Sequence, residues 1–177
     1  PIKEKLIITV SSLDPRKNLT SVISAWKKSK LKLEGYRLVV IGGSFSSFQN
    51  DDCFTSDSSI QFTGYVSDNE LKKFYQKASG FVYMSQYEGF GLPVLEAMLA
   101  KIPVLTSNTT SLKEIAIGHS LMCDPLDVDA IAANLDSLPE LESKTLEEAY
   151  SFAKSFTWDK AADNLLSIIE RSENEET

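Results

Sequence analysis

The feature that most constrains this chain is an alternation of short β-branched runs with amphipathic segments, repeated about six times along its length. Leu6-Ile7-Ile8-Thr9-Val10 is continuous and apolar, the pattern of a strand buried on both faces. After Leu13-Asp14-Pro15-Arg16-Lys17, Asn18 stands where a helix N-cap is expected. Leu19, Val22, Ile23 and Trp26 then recur on one helical face. Residues 37–41 read as a second strand closed by Gly42-Gly43, followed by a polar loop over about 44–58. Ile60-Gln61-Phe62-Thr63 reads as a short third strand, and Asp68 is expected to cap a helix carrying Leu71, Phe74 and Tyr75. Residues 80–84 read as the fourth strand, and a glycine-rich turn leads from it into a helix over about 92–100. Pro103-Val104-Leu105 and Leu121-Met122-Cys123 read as the fifth and sixth strands. From Asp127 the chain reads as helices, with a break at Phe156-Thr157-Trp158. The last helix has Ala161, Leu165, Ile168 and Ile169 on one side.

This alternation implies an α/β domain: a Rossmann-like, three-layer arrangement of about six parallel strands with helices on both faces. One domain over 1–171 is expected, with residues 172–177 a polar tail that frays. With 42% of residues apolar and 24% charged, there is material for a core and no sign of disorder. A net charge of -7 excludes a general nucleic-acid binder, which needs a broad basic face. No apolar run approaches the roughly 20 residues that span a bilayer, and Pro1-Ile2-Lys3-Glu4 is not the start of a signal peptide. Cys53 and Cys123 form neither a framework nor a CxxC site, which favours a reducing, cytoplasmic compartment. The absence of an initiator Met, a few residues before an apolar strand, suggests a piece of a longer protein. Parallel sheets of this kind bind ligands outside the carboxyl ends of their strands. The loops after Val10, Ile41, Thr63 and Met84 therefore matter most.

The stretch Glu88-Gly89-Phe90-Gly91-Leu92-Pro93-Val94-Leu95-Glu96 carries the most chemical information. Its glycines permit a sharp turn and the approach of a ligand unobstructed by Cβ. Pro93 suits the start of a helix, so amides near residues 90–92 would point out of a helix N-terminus, where a phosphate is stabilised. Glu96 sits among apolar neighbours, and a carboxylate there needs hydrogen-bond donors, which the two hydroxyls of a ribose would supply. An ordinary strand–helix connection and a half-exposed rim glutamate are the plainer alternatives.

The same stretch resembles the E-x7-E motif of family 4 retaining glycosyltransferases, which have the GT-B fold. Residues 10–19 are similar to that family's first strand and loop, Gly64-Tyr65-Val66-Ser67-Asp68 to its base-binding turn, and Phe156-Thr157-Trp158 to the entry into its final helix. The resemblance covers the C-terminal, donor-binding half of such an enzyme. It implies that Glu88 binds donor-sugar hydroxyls, Glu96 the ribose, and the amides of Phe90, Gly91 and Leu92 the diphosphate. It further implies that Lys17 stabilises the leaving diphosphate, that Val66 packs on the base and that Gly42 leaves room for the nucleotide. Where many relatives carry an arginine this chain has Ser12, and Arg16 is the candidate second cation.

The expected activity is retaining transfer from a UDP- or GDP-linked sugar to a hydroxyl of a glycan or lipid-linked acceptor, without a metal or other cofactor. The implied context is bacterial O-antigen or capsule synthesis, with peripheral membrane contact left open for the full-length enzyme. The resemblance also implies a partner N-terminal domain, without which this chain is expected to bind nucleotide weakly and transfer nothing. A sugar-nucleotide epimerase half and a non-catalytic nucleotide-binding module are the rival readings.

Other signals are weaker. Asp127-Val128-Asp129 matches a metal-binding DxD pattern but is expected to cap a helix. Asp51-Asp52 reads as solvated, and the lysine-rich run 27–32 as a wet helix end rather than a lipid contact. The single histidine, His119, rules out a His metal cluster or a Ser/His triad within the chain and is expected on a surface turn. The sequons at Asn18 and Asn108 are discounted.

Overall fold

A computed structural model describes residues 3–12, 14–42 and 57–175, with only the backbone of 172–175. Nearly all of the polar loop at 44–58 lies outside the described residues, and with it Asp51, Asp52 and Cys53. Leu13, Gly43 and residues 176–177 also lie outside. Six strands form one sheet: β1 (Leu6–Ser11), β2 (Arg37–Gly42), β3 (Ile60–Gly64), β4 (Gly80–Tyr83), β5 (Val104–Ser107) and β6 (Leu121–Cys123). The helices are α1 (Leu19–Lys28), α2 (Asp68–Lys77), α3 (Leu92–Leu99), α4 (Thr110–Ala116), α5 (Val128–Ser137), α6 (Ser143–Lys154) and α7 (Trp158–Glu175). Short 3-10 turns lie at Pro15–Lys17 and Leu138–Glu140.

The strands are all parallel, in the order β3-β2-β1-β4-β5-β6. Successive side chains of a strand point to opposite faces, so each apolar run feeds two cores. Ile8, Val39, Ile41, Phe81 and Tyr83 pack with Tyr75 of α2, Val94 and Met98 of α3, and Ala149 and Ala153 of α6. Ile7, Leu38, Val40, Val82, Met84 and Leu105 pack with Trp26 of α1 and Ile131 and Leu135 of α5. Trp26 is fully buried, and its indole N–H donates to Ser59 Oγ at 2.9 Å, so the largest side chain of this layer hides no orphan donor. The expected Rossmann-like architecture is the one observed.

Four local expectations change. Ser67, not Asp68, caps α2: its side chain accepts from the Glu70 amide while Glu70 accepts from the Ser67 amide, a reciprocal capping box. The side chain of Asn18 does not cap α1 but reaches across the sheet. Helix α4 went unread because its seven residues offer too short a window for periodicity. His119 lies in a turn as expected, but it is half-buried rather than on the open surface. Its ring stacks on Phe152 with centroids 4.3 Å apart, and its Nδ1 is buried with no hydrogen-bond partner among the described residues.

The backbone of residues 172–175 continues α7. Leu165 and Ile168, on the apolar side of that helix, are 60% and 64% exposed, and Leu166 beside them is 57% exposed. No helix among the described residues is long and apolar enough to cross a membrane.

Candidate active site

The strand order reverses between β1 and β4. The chain leaving β1 enters α1 against one face, and the chain leaving β4 enters α3 against the other. Such a switch point opens a crevice between the two departing loops. Short-range chemistry shapes the first loop. Asp14 accepts from the Arg16 amide at 2.9 Å, Pro15 starts a 3-10 turn, and Asn18, at φ +53°, ends it. The Asn18 amide group donates to the carbonyls of Met84 at 3.1 Å and Pro125 at 2.6 Å. The Arg16 carbonyl in turn accepts from the Gln86 amide at 2.8 Å and Ser85 Oγ at 2.9 Å. The loops after β1, β4 and β6 are thus tied together by groups with one geometry to satisfy.

Asn18 is 7% exposed, which also removes it as a glycosylation acceptor. Replacing it with Ala leaves the Met84 and Pro125 carbonyls without those donors. Stability is expected to fall by about 1–3 kcal/mol, measurable by urea unfolding.

This bracing brings Lys17 to Glu88. Lys17 Nζ donates to Glu88 Oε1 at 2.6 Å and to the Tyr83 hydroxyl at 2.8 Å, and that hydroxyl donates to the same Oε1 at 2.8 Å. The two charged side chains are 24% and 14% exposed, a partly desolvated pair rather than a surface one. Burial pushes the Glu88 carboxyl up, but hydrogen bonds led by Lys17, together with the Lys17 charge, outweigh it and hold the group below the usual carboxylate range. Burial and the Glu88 charge push the Tyr83 phenol far up, so it remains a neutral donor.

Past Glu88 the backbone turns into α3. Gly91 is the N-cap at φ +99°, in the left-handed region that favours glycine. Gly89 has no such φ, and a Cβ there would meet open space, so neither conformation nor packing requires a glycine at that position. Among the described residues the amides of Phe90, Gly91 and Leu92 have no protein acceptor. They are donors at the positive end of a helix, following directly on the turn whose Glu88 is held by Lys17. The Glu88 backbone is held by α4: its amide donates to Thr110 Oγ1 at 3.4 Å and its carbonyl accepts from Ser111 Oγ at 2.9 Å. The Phe90 ring leans edge-on against Phe156, with centroids 6.0 Å apart.

The remaining candidates spread around this centre. Glu96 is exposed on α3, and Tyr75 supplies one of the donors it needs, with the hydroxyl donating to Oε2 at 3.0 Å. A groove of about 720 Å³ between α2 and α3 runs past Glu96, Tyr75 and Lys72 but does not include Lys17 or Glu88. Val66 is half-buried against the core at the end of β3, ahead of the Ser67 cap. Gly42 lies at φ +116° with the Ser11 carbonyl only 2.5 Å from where a Cβ would sit, so the chain itself requires the glycine.

Arg16 is near enough for the Glu88 charge to act on it, but it makes no hydrogen bond to Glu88 here. Its guanidinium grips Asp14 in its own turn, and this bond, ahead of the Arg16 charge, lowers the Asp14 carboxyl to about 2. Asp127 caps α5 through the Ala130 amide and Asp129 pairs with Lys28, which accounts for the DxD pattern structurally. Among the described residues no group of three or more His, Cys, Asp or Glu could hold a metal ion. Tyr83, Tyr75, Thr110 and Ser111 were not flagged by sequence. Only the spacing of Tyr83, five residues before Glu88, could have drawn attention to it.

The family model described as glycosyl transferases group 1 matches residues 1–156. The chain belongs to that family. It is 35% identical over 159 residues to the O-antigen chain mannosyltransferase B of Escherichia coli, covering 85% of this chain and 42% of the relative. Less than half of that relative's length is therefore spanned. The crystal structure of the C-terminal domain of a glycosyl transferase group 1 family protein (LpcC) from Francisella tularensis superposes with a TM-score of 0.71. That match has 26% identity and covers 87% of each chain. Staphylococcus aureus TarM, in a structure holding UDP, superposes with a TM-score of 0.78 at 17% identity over 94% of this chain and 36% of that one, a likeness of fold.

Proposed function

We propose that this chain is the donor-binding half of a retaining GT-B glycosyltransferase, acting on a UDP- or GDP-linked sugar. The acceptor in this reading is a hydroxyl of a glycan or lipid-linked saccharide in bacterial surface polysaccharide synthesis. The observation that carries it is the pairing, at the switch point, of Lys17 with Glu88 just ahead of three backbone amides that have no acceptor among the described residues. Breaking the bond between sugar and diphosphate leaves an electron-poor sugar and a diphosphate with added charge. Groups that are already oriented, the amides and Lys17, favour that charge as it forms without reorganising. Glu88 then faces the sugar hydroxyls, Glu96 the ribose and Val66 the base, with Gly42 at the nucleotide's flank.

The O-antigen mannosyltransferase relative supports the polysaccharide setting, and UDP in TarM supports a nucleoside-diphosphate donor. Lys17 and the amides supply the positive potential at the diphosphate position, so no metal enters the scheme. The exposed apolar side of α7 supports contact with a further domain that completes the cleft and binds the acceptor.

A melting experiment on the chain with UDP, GDP and ADP, each with and without EDTA, tests the donor site. Either UDP or GDP is expected to stabilise the fold by about 2.7 kcal/mol at one hundred times its Kd, a rise in Tm of roughly 5–10 °C for a domain of this size. EDTA should leave the shift unchanged. If none of the three nucleotides moves the transition at millimolar concentration, the proposal fails. A product assay on the full-length protein separates sugar transfer from epimerisation.

A further inference from the structure

Each acid of the E-x7-E stretch accepts a hydrogen bond from a tyrosine whose ring lies in the core. Tyr83, at the end of β4, donates to Glu88 at 2.8 Å, and Tyr75, on α2, donates to Glu96 at 3.0 Å. The rings flank Phe81. Tyr83 stacks on it with centroids 5.8 Å apart, and Tyr75 tilts against it at 5.6 Å. With residues only 3% and 6% exposed, the rings, and so the hydroxyls, have little freedom to move. A phenylalanine would fill the same space without burying an oxygen, so packing alone does not account for the hydroxyls.

The Tyr83 hydroxyl has a further peculiarity. It accepts from Lys17 and donates to Glu88, while Lys17 also donates directly to Glu88, so three groups close a triangle in which the carboxylate has two donors on one oxygen. In this state Tyr83 duplicates what Lys17 already does for Glu88. The duplication ends when a diphosphate draws the ammonium away, because a partly buried carboxylate would then stand uncompensated beside a polyanion. Ser85, the other hydroxyl close by, also helps to hold the Glu88 carboxyl down, but its single proton is shared with the Arg16 and Tyr87 carbonyls, whereas the Tyr83 proton is directed at Glu88 alone. Arg16 is held by Asp14.

We propose that Tyr83 is a positioning residue of the donor site, its hydroxyl holding and compensating the Glu88 carboxylate while Lys17 moves from that carboxylate to the donor's diphosphate. This rests on the donor-site reading above. The hydroxyl is nearly idle in the empty site and acts in the occupied one, so its loss is felt on binding rather than on folding.

The test is a double-mutant cycle on the full chain, with Tyr83→Phe, Glu88→Gln and the double variant, using calorimetric Kd values for UDP and GDP. Tyr83→Phe is expected to weaken the nucleotide that the wild type binds about tenfold. In the Glu88→Gln background, where there is no charge to compensate, the same change should cost less than about twofold. The ligand-free melting temperature of Tyr83→Phe should stay within a few degrees of the wild type. Equal losses in both backgrounds, or none in either, would overturn the proposal while leaving the donor site standing. A wild type that binds neither nucleotide removes the donor site, and this proposal with it.

Discussion

Replacing Lys17 with methionine is expected to lower sugar transfer by the full-length protein about 10²–10³-fold at saturating donor. Methionine keeps much of the apolar stem but removes the ammonium. The ammonium lies 2.6 Å from Glu88 in a partly desolvated crevice, where a charge acts more strongly than in bulk water. The loss should fall on kcat as well as on donor affinity, because charge on the departing diphosphate grows toward the transition state. The fold should survive, since Tyr83 still donates to the Glu88 carboxylate. Arg16→Met is the informative comparison. Its guanidinium is exposed and committed to Asp14, so a loss below about tenfold is expected. Steady-state assays of the two variants decide the matter. If Lys17→Met retains a rate within threefold of the wild type, Lys17 is not the phosphate cation, and a large loss at Arg16 would give that part to the arginine.

Residues close together in sequence made much of this legible. The strands announce themselves through β-branched runs, and the glycine turn, its proline and both glutamates lie within nine residues. The loops that carry Lys17 and Glu88 were singled out by the rule that parallel sheets bind ligands beyond their strands' carboxyl ends, with the resemblance naming the two residues but not their pairing. What sequence could not show was pairing across elements. Tyr75 and Tyr83 read as core aromatics because the ring, which does the packing, sets the pattern, while the hydroxyl leaves no periodic trace. Arg16 read as a free cation because its partner, Asp14, is two residues away in a turn whose geometry sequence does not fix. Asn18 read as a helix cap because an Asn before an apolar helix usually is one, yet its side-chain amide serves two carbonyls in the loops after β4 and β6, far off in sequence.

The glycines separate what the fold needs from what a ligand needs, and Gly42→Ala is expected to be the most damaging added methyl among the described glycines. Gly42 pairs with Ser11 in the register of β1 and β2, and the added Cβ would lie 2.5 Å from the Ser11 carbonyl oxygen. A backbone oxygen between two central strands cannot rotate aside, and φ +116° adds strain for any side chain. The expected cost is about 3–5 kcal/mol, a fall in Tm on the order of 10 °C, with or without nucleotide. Gly89→Ala should do the reverse. Its Cβ meets nothing within 4 Å and its φ needs no glycine, so stability should hold within about 0.5 kcal/mol. If the amides beside it receive a diphosphate, however, the methyl stands in the ligand's approach and nucleotide affinity falls. Melting and binding measured on both variants distinguish the cases. A stable Gly42→Ala would mean that the strand ends part more easily than their register implies. An unimpaired Gly89→Ala would place the diphosphate away from this turn.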